Sequence, residues 1–102
     1  MKENSKQFNQ AFGLLNSKAY SQSIDLFFED LKINPKNIAS YNNIGLAQTY
    51  LGISNGDKHF LELAMKNYQT AIDIAHELQY KGGYPSAQGN LEWAQKEIAK
   101  LT

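Results

Sequence analysis

The sequence has no cysteine, so disulfide bonds and thiolate chemistry are excluded. It also has no long hydrophobic run, because each uninterrupted apolar stretch is far shorter than a membrane span. Neither sign of charge is in excess, since 10 basic residues balance 10 acidic ones. The polar N-terminal segment lacks the apolar centre of a signal peptide. These absences predict a cytoplasmic protein with neither a membrane partner nor a nucleic-acid partner.

Proline occurs only twice, and both prolines lie between segments of helical periodicity. No segment shows the strict alternation of a half-buried strand. The predicted helices cover residues 6–16, 22–33, 38–51, 58–80 and 85–101. Ser21 and Asp57 are predicted N-caps, and Pro85 is predicted to lie in the first turn of the last helix. The glycine-containing segments 52–56 and 81–83 are predicted to end the third and fourth helices. The expected fold is all-α, a single domain of residues 1–102 with about five helices.

The chain repeats itself at a spacing of a few tens of residues. A shift of 34 residues places the first predicted helix on the third, with Ala11 on Gly45. A shift of 41 residues places the second helix on the fourth, with Phe27 on Tyr68. Small residues at matching positions let antiparallel helices approach closely. A helix–turn–helix unit is therefore predicted to occur twice.

The two units resemble tetratricopeptide repeats, whose signature joins W-x₂-L-G-x₂-Y to A-x₃-F and a closing proline. The resemblance implies two antiparallel hairpins, residues 6–36 and an extended 37–80, stacked as a fragment of an α-solenoid. The matching residues are Tyr41, Ile44, Gly45, Ala64, Tyr68 and Ala71 in the second unit, and Phe27 and Pro35 in the first.

Four positions depart from the family pattern. Ser23 and Asp30 stand where the family has alanine, and Gln48 stands where it has tyrosine. His76 occupies the position at which a second closing proline would recur. The first unit also begins with a poor match.

The two shifts differ by seven residues, which is close to two helical turns and keeps the apolar face in phase. One interpretation is a fourth helix extended at its N-terminus through Phe60, Leu61 and Leu63. The other is that the third helix lengthens as well and buries these side chains within the hairpin. Both interpretations stay open at the level of sequence.

Residues 84–102 are predicted to form a capping helix. Repeat arrays need a terminal helix whose outer face is polar, since an unpaired hairpin would expose its apolar side. A second interpretation is that this helix is the first half of a third unit, because residues 90–94 echo residues 43–47. Its apolar stripe consists of Ala87, Leu91, Ala94, Ile98 and Leu101.

No motif of catalysis or of metal binding is present. His59 and His76 are 17 residues apart and lack any metal-ligand spacing. The glycine-rich segment 82–89 lacks the lysine and the preceding strand of a phosphate loop, so it is interpreted as a linker. The expectation is a protein that is not an enzyme, with no cofactor and no metal.

The resemblance implies a module that binds a peptide or a helical segment of a partner protein in a concave groove, lined by the first helices of the repeats. Asn43 falls where peptide-binding members of the family place an asparagine that bonds the peptide backbone. The basic residues that clamp a terminal carboxylate in other members are not matched. Core packing is the alternative interpretation of Phe8 and Phe12. The predicted groove residues are Phe8, Asn9, Phe12, Asn42, Asn43, Leu46 and Tyr50.

Self-association into a homodimer, without a separate peptide ligand, is the alternative function. Two repeats are fewer than the three or so that stabilise such arrays. Trp93 is predicted to lie roughly 100° or more around the last helix from its apolar stripe. The glycines of 52–56 and 82–83 are predicted hinges for exchanging a hairpin or the last helix between copies. The residues predicted for self-association are Phe60, Leu61, Leu63 and Trp93.

Overall fold

The computed structural model describes residues 4–101, so residues 1–3 and 102 of the predicted domain lie outside the described residues. Within residues 4–101 the chain is all-helical and contains no strand. The prediction of an all-α fold with about five helices is confirmed. The helices are α1 (Lys6–Asn16), α2 (Tyr20–Ile33), α3 (Ile38–Asn55), α4 (Lys58–Glu77) and α5 (Pro85–Lys100).

Two of the three predicted helix starts are confirmed. The side chain of Asp57 accepts a hydrogen bond from the backbone N–H of His59 at 2.9 Å, as an N-cap does. Pro85 lies in the first turn of α5, where its missing N–H costs nothing. The third prediction is wrong, because α2 begins before Ser21. Its N-cap is Ala19, which has no side chain that could make a capping hydrogen bond.

Three helices end in the same way, with one residue in the left-handed conformation after the last turn. These residues are Lys18 (φ 68°), Gly56 (φ 62°) and Gln79 (φ 57°). In each case the next residue's N–H reaches back to a carbonyl five positions earlier, which is the Schellman pattern. The prediction that residues 81–83 end α4 is wrong, since the helix ends earlier and a glutamine takes the left-handed position.

Each of the first four helices packs against its neighbour in an antiparallel hairpin. In the second hairpin, Gly45 of α3 lies against the ring of Tyr68 of α4. A methyl group added at Gly45 would come within 2.5 Å of that ring. The Tyr68 hydroxyl meets the Thr49 hydroxyl at 2.8 Å, and Thr49 donates to the carbonyl of Gly45 at 2.8 Å. The glycine therefore permits a close contact that these hydrogen bonds hold in place.

The tip of the second hairpin corrects the predicted end of α3. That helix does not break at Gly52, which lies inside it and packs on the fully buried Leu61 of α4. A methyl group at Gly52 would come within 2.7 Å of the Leu61 side chain. The break comes instead at Gly56. Both helices are therefore lengthened, and the open question about Phe60, Leu61 and Leu63 is resolved in favour of burial for Leu61, while the other two are half-buried.

The last helix, α5, packs antiparallel on α4. Its alanines make the contact: Ala87 packs in a buried cluster with Ala71 and Ala75, and Ala94 packs with Ala64. The opposite side of α5 is exposed and mostly polar, as a capping helix requires. The helix thus lies where the first helix of a third unit would lie, with a polar outer surface. The exposed polar residues are Gln88, Glu92, Gln95 and Lys96.

A buried carboxylate joins the two hairpins. Asp30, near the end of α2, has no exposed surface and accepts four side-chain hydrogen bonds. Burial alone would raise the pKa of Asp30, but the four hydrogen bonds outweigh it and hold that pKa below its usual value. The acid that departs from the family pattern is therefore the centre of the junction. The donors are Ser40 at 2.5 Å, Ser5 at 2.6 Å, Asn37 at 2.8 Å and Asn34 at 3.2 Å.

Candidate partner-binding face

Three helices, α1, α3 and α5, run parallel and side by side, and we call them the inner helices. Two contacts join α3 to α5: the Asn90 amide donates to the Asn42 side chain at 3.1 Å, and Trp93 meets Tyr50. The two contacts follow one another in the same direction along both helices, which shows that α3 and α5 run parallel. The second helices of the hairpins, α2 and α4, therefore pack behind a surface that the inner helices form.

Aromatic rings cross this surface in a row. The ring of Tyr20, at the start of α2, stacks on Tyr50 with centroids 5.2 Å apart and planes 14° apart. Tyr50 in turn meets Trp93 edge-on, with centroids 5.4 Å apart. Phe12 lies one turn before Asn16 on α1 and keeps 45% of its surface exposed. We call the residues Phe12, Leu15, Tyr20, Leu46, Tyr50 and Trp93 the aromatic face.

A depression of about 300 Å³ opens within the aromatic face. Its lining mixes apolar side chains with the amide of Asn16, and Lys18 is the one charged residue among the lining residues. The α3 helix, which crosses the centre of the surface, contains no Asp, Glu, Lys, Arg or His, and the only charged residue of α1 is Lys6. The parts of the aromatic face on α1 and α3 are therefore almost free of charge, whereas Trp93 on α5 has Lys96 and Glu97 one helical turn further on. The residues that line the depression are Leu15, Asn16, Lys18, Tyr20, Leu46 and Tyr50.

The predicted groove residues of α1 divide between core and surface. Phe8 is buried, with its ring edge-on to Phe27 at 5.4 Å, so the core interpretation is the correct one for Phe8. Its assignment to a groove is wrong, since its surface is taken up by the hairpin. Asn9 is exposed, and Phe12 is exposed with its ring stacked on Phe8 at 6.3 Å. Of the two phenylalanines, only Phe12 offers an accessible ring.

The predicted groove residues of α3 differ in the same way. Asn42 and Asn43 are nearly buried, and the Asn42 oxygen already accepts from Asn90. Leu46 is half-buried and Tyr50 is exposed, so both belong to the aromatic face. The structure therefore brings Leu46 and Tyr50 together at one depression, and Asn42 and Asn43 are buried away from it. Phe12 lies one turn of α1 before Asn16, which also lines that depression.

Sequence reasoning missed Leu15 and Tyr20 as residues of this surface. Leu15 is not among the predicted groove residues, and Tyr20 falls between the first two predicted helices, 6–16 and 22–33. The sequence carries no signal for the position of Tyr20, because the left-handed residue that ends α1 is Lys18, and lysine does not indicate that conformation. Pairing with a ring on a distant helix is a tertiary contact that periodicity does not contain.

The residues predicted for self-association do not share one exposed surface. Leu61 is fully buried against Gly52, so it is not available to a second copy in this conformation. Phe60 and Leu63 are half-buried near the start of α4. Trp93, which the sequence left without a contact, packs on Tyr50 and belongs to the aromatic face.

A second depression, about 680 Å³, lies at the other end of the inner helices. The loop between α2 and α3 and the loop between α4 and α5 form it, and Tyr80 and Ile33 at its rim are more than half exposed. Tyr84 also lines the depression, and burial raises the pKa of its hydroxyl above the usual value. The lining offers Lys36 as its one cation.

No group of acids and histidines suited to a metal ion occurs among residues 4–101. Among residues 4–101, three ionisable groups have perturbed pKa values: Tyr84 lines the second depression, and Tyr68 and Asp30 lie in structural positions. Burial raises the pKa of Tyr68 well above its usual value, and its hydroxyl bonds to Thr49 inside the hairpin. The carboxylate of Asp30 has its hydrogen bonds to the hairpin junction. Neither group faces a depression.

No protein-family model matches this chain, and no curated protein or solved structure matches it either. None of the helices in the described part of the chain combines the length and apolar character needed to cross a bilayer.

Proposed function

We propose that this chain is a protein-interaction module, and that it holds a segment of a partner protein on the aromatic face. The single observation that carries the proposal is that the exposed Tyr50 contacts Tyr20 and Trp93 beside an open depression. Asn16, which lines that depression, follows the exposed Phe12 by one turn of α1. Large apolar side chains gathered on one face of a small domain are typical of interaction sites. Tyrosine and tryptophan are also the residues that contribute most to binding energy in protein interfaces.

The aromatic face is preorganised, which favours binding. Tyr50 is held between Tyr20 and Trp93, so its ring loses little freedom when a ligand covers it. The second helices pack behind the inner helices and leave this side uncovered. The resemblance of the two units to tetratricopeptide repeats supports the same surface, since that family binds its ligands on the first helices of its repeats. The proposal includes a non-catalytic role in the cytoplasm.

Two phenylalanines form a matched pair for testing this surface. Phe12 on α1 and Phe28 on α2 are exposed to the same degree, 45% and 44%, but only Phe12 belongs to the aromatic face. Peptides would be selected on the wild-type protein from a random display library and then measured by isothermal titration calorimetry. We expect Phe12→Ala to raise the Kd of the selected peptides at least tenfold, because it removes apolar contact area.

Phe28→Ala should leave the same Kd values within about twofold, a change too small to reflect lost contact area. Urea unfolding of both variants separates a binding effect from a folding defect. The Kd values of an Asn43→Ala variant provide a further comparison. The resemblance places a peptide contact at Asn43, whereas the structure leaves its side chain nearly buried. Selected peptides that bind equally well to the Phe12 and Phe28 variants would refute the proposal.

The alternative, a self-associating module, retains one observation in its favour. The second hairpin is longer than the first, and its tip carries two apolar side chains. These are Ile53, which is exposed, and Phe60, which is half-buried. Light scattering over a concentration series tests it against the monomer mass of 11.5 kDa. A doubled mass that Phe60→Ser or Trp93→Ala reduces would support a homodimer. A constant monomer mass would exclude it.

A further inference from the structure

We infer that Asn55 is a site of spontaneous covalent modification, at which its side chain loses ammonia and residue 55 becomes aspartate or isoaspartate. The inference goes beyond the proposed function, because it concerns the tip of the second hairpin and not the aromatic face. Three observations carry it: the dipeptide Asn55-Gly56, the exposure of Asn55 at the last position of α3, and the long hydrogen bond of the backbone nitrogen that attacks.

The reaction uses water as its one co-reactant. The backbone nitrogen of Gly56 attacks the side-chain carbonyl carbon of Asn55, so a new N–C bond forms and the bond to the side-chain nitrogen breaks. That nitrogen leaves as ammonia and takes the proton of the Gly56 N–H, and a five-membered succinimide ring remains. Water then opens the ring at one of its two carbonyl carbons. One opening gives aspartate, and the other gives isoaspartate, in which the backbone runs through the former side chain.

The residue after Asn55 leaves the attacking nitrogen unhindered. Asn55 is the one asparagine of the chain that a glycine follows. A Cβ atom on the following residue obstructs the approach of that residue's own nitrogen, and glycine has none. The surroundings do not obstruct it either, since a Cβ atom built on Gly56 would meet no heavy atom within 4 Å. The nitrogen of Gly56 is therefore sterically open.

The position of Asn55 at the end of α3 makes the reacting groups accessible. Asn55 is the last residue of the helix and is exposed to solvent. The N–H of Gly56 donates to the carbonyl of Ile53 at 3.4 Å, which is longer than an ordinary N–H···O bond. The attack requires residue 55 to leave its helical conformation. Because helix ends fray, this opening does not need the rest of α3 to unfold.

The first helix provides a matched comparison, because α1 also ends on an exposed asparagine, Asn16. The next residue is Ser17, whose Cβ atom obstructs the attack. The N–H of Ser17 donates to the carbonyl of Gly13 at 3.1 Å, a bond of ordinary length. The nitrogen after Asn16 is thus more hindered and more firmly held than the nitrogen after Asn55. Asn55 should therefore react first.

The product should weaken the turn between α3 and α4. A carboxylate at residue 55 would lie at the C-terminus of α3, where the helix dipole disfavours negative charge, and an isoaspartate would lengthen the backbone within the turn. The N–H of Asp57 closes this turn by donating to the carbonyl of Gly52 at 2.9 Å. Gly52 also packs on Leu61 of α4. A distorted turn should therefore lower the stability of the second hairpin.

The test follows deamidation of the folded protein during incubation at mildly alkaline pH, by mass spectrometry of its tryptic peptides. We expect a mass gain of about 1 Da at Asn55, appearing about tenfold faster than at Asn16. The rate should rise with pH, because the nitrogen of Gly56 must lose its proton to attack. Residues 37–58 form one tryptic peptide, so fragmentation of that peptide compares the asparagines Asn37, Asn42, Asn43 and Asn55 directly.

Two variants separate the reaction from its consequence. Asn55→Gln keeps a side-chain amide but would have to form a less favourable six-membered ring, so it should show no mass gain at residue 55. Asn55→Asp carries the new charge without the longer backbone. The urea midpoint of aged wild-type protein should lie below that of fresh protein, with fresh Asn55→Asp between them. The midpoint of Asn55→Gln should not change on ageing.

Incubation in guanidinium chloride gives the rate at Asn55 that the unfolded chain has from its sequence alone. If Asn55 reacts in the unfolded chain but not in the folded protein, the turn is protected and the inference is wrong. Equal or faster reaction at Asn16, or a rate that does not rise with pH, would also overturn it. An unchanged urea midpoint after residue 55 has reacted would contradict the effect assigned to the turn.

Discussion

The two hairpins share a plan but differ in length and in how their helices touch. The first has helices of 11 and 14 residues, and the second has helices of 18 and 20. The first is held by the rings of Phe8 and Phe27, packed edge-on. The second is held by glycines that accept side chains from the opposite helix, Gly45 against Tyr68 and Gly52 against Leu61. The shorter hairpin relies on large residues, and the longer one on close approach.

The difference shows how a repeat accommodates seven extra residues without losing its core. Relative to the first hairpin, α3 continues past Tyr50 to Asn55, and α4 begins at Lys58 instead of at Leu61. The extra length is thus shared between both helices at the tip. Because it amounts to about two turns, the apolar stripe keeps its phase. The added turns need a contact of their own, and the pair of Gly52 and Leu61 supplies it.

The largest expected effect comes from removing that contact. Leu61→Ala should lower the free energy of unfolding by about 2–5 kcal/mol, because it deletes a fully buried side chain and leaves a cavity. Ile53→Ala, at an exposed position on the same tip, should change it by less than about 1 kcal/mol. Urea unfolding measures both. Equal effects would mean that the added turns are not anchored by Leu61.

Glycine-to-alanine variants compare the middles of the two hairpins. Gly45→Ala should destabilise by about 1–3 kcal/mol, because the new methyl group meets the Tyr68 ring, whose hydroxyl is bonded to Thr49 and which cannot move aside. Gly13 has open space around it, so Gly13→Ala should stabilise by about 0.5–1 kcal/mol through helix propensity. Thermal unfolding of the two variants shows whether each substitution lowers or raises stability. A stabilising Gly45→Ala would show that the hairpin has room at this contact.

The junction between the hairpins should be sensitive to acid. Asp30→Asn should cost about 1–3 kcal/mol at neutral pH, since an amide cannot accept all four hydrogen bonds. The folded pKa of Asp30 lies below its ordinary value of 3.8, so its carboxylate stabilises the fold above that value and loses this effect as the pH falls toward the folded pKa.

The wild-type protein should therefore lose stability more steeply than the Asp30→Asn variant on acidification below about pH 5. Asp25→Asn, an exposed aspartate on the same helix, provides the control and should behave as the wild type. Denaturation by urea at a series of pH values tests the comparison. Parallel pH profiles for the wild type and Asp30→Asn would contradict the assigned role.

The smallest expected effect concerns the helix ends. Gln79 and Gly56 both adopt a left-handed backbone conformation. The conformation is sterically unfavourable for Gln79, which has a Cβ atom, and not for Gly56, which has none. Gln79→Gly should therefore raise stability by up to about 1 kcal/mol, and Gly56→Ala should lower it by about 1 kcal/mol. Differential scanning calorimetry detects shifts of this size. A loss of stability in Gln79→Gly would mean that the side chain makes a stabilising contact.

The polar departures from the repeat pattern mark where prediction from sequence stopped. Ser23, Asp30 and Gln48 differ from the tetratricopeptide signature that the sequence resembles, and the sequence offered no partner for them. In the structure Ser23 donates to the Tyr20 carbonyl at 2.9 Å, and Gln48 accepts from Asn67 at 2.7 Å. These partners come from a neighbouring turn or a facing helix. Residue type predicts that a buried polar group needs a partner, but only packing decides which one it finds.

The candidate site was predictable in part for the same reason. Periodicity placed Phe12, Leu46 and Tyr50 on the first helices of the hairpins, and repeat spacing assigned those helices to one surface. It could not separate Phe8 from Phe12, because a helix packed against two neighbours buries more than one stripe. It also could not place Tyr20 and Trp93 beside Tyr50, since stacking joins residues far apart in the chain.

The sequence by itself determined the helical class, the two hairpins, the end of α2 at Ile33 and the start of α5 at Pro85. These features follow from periodicity, prolines and caps, which act locally along the chain. Only the tertiary structure decided that Gly52 lies inside a helix, that Asp30 joins the hairpins and that three rings form one row. A glycine breaks a helix or allows a close contact according to what lies opposite it. That neighbour comes from a distant part of the chain and is brought there by the burial of apolar surface.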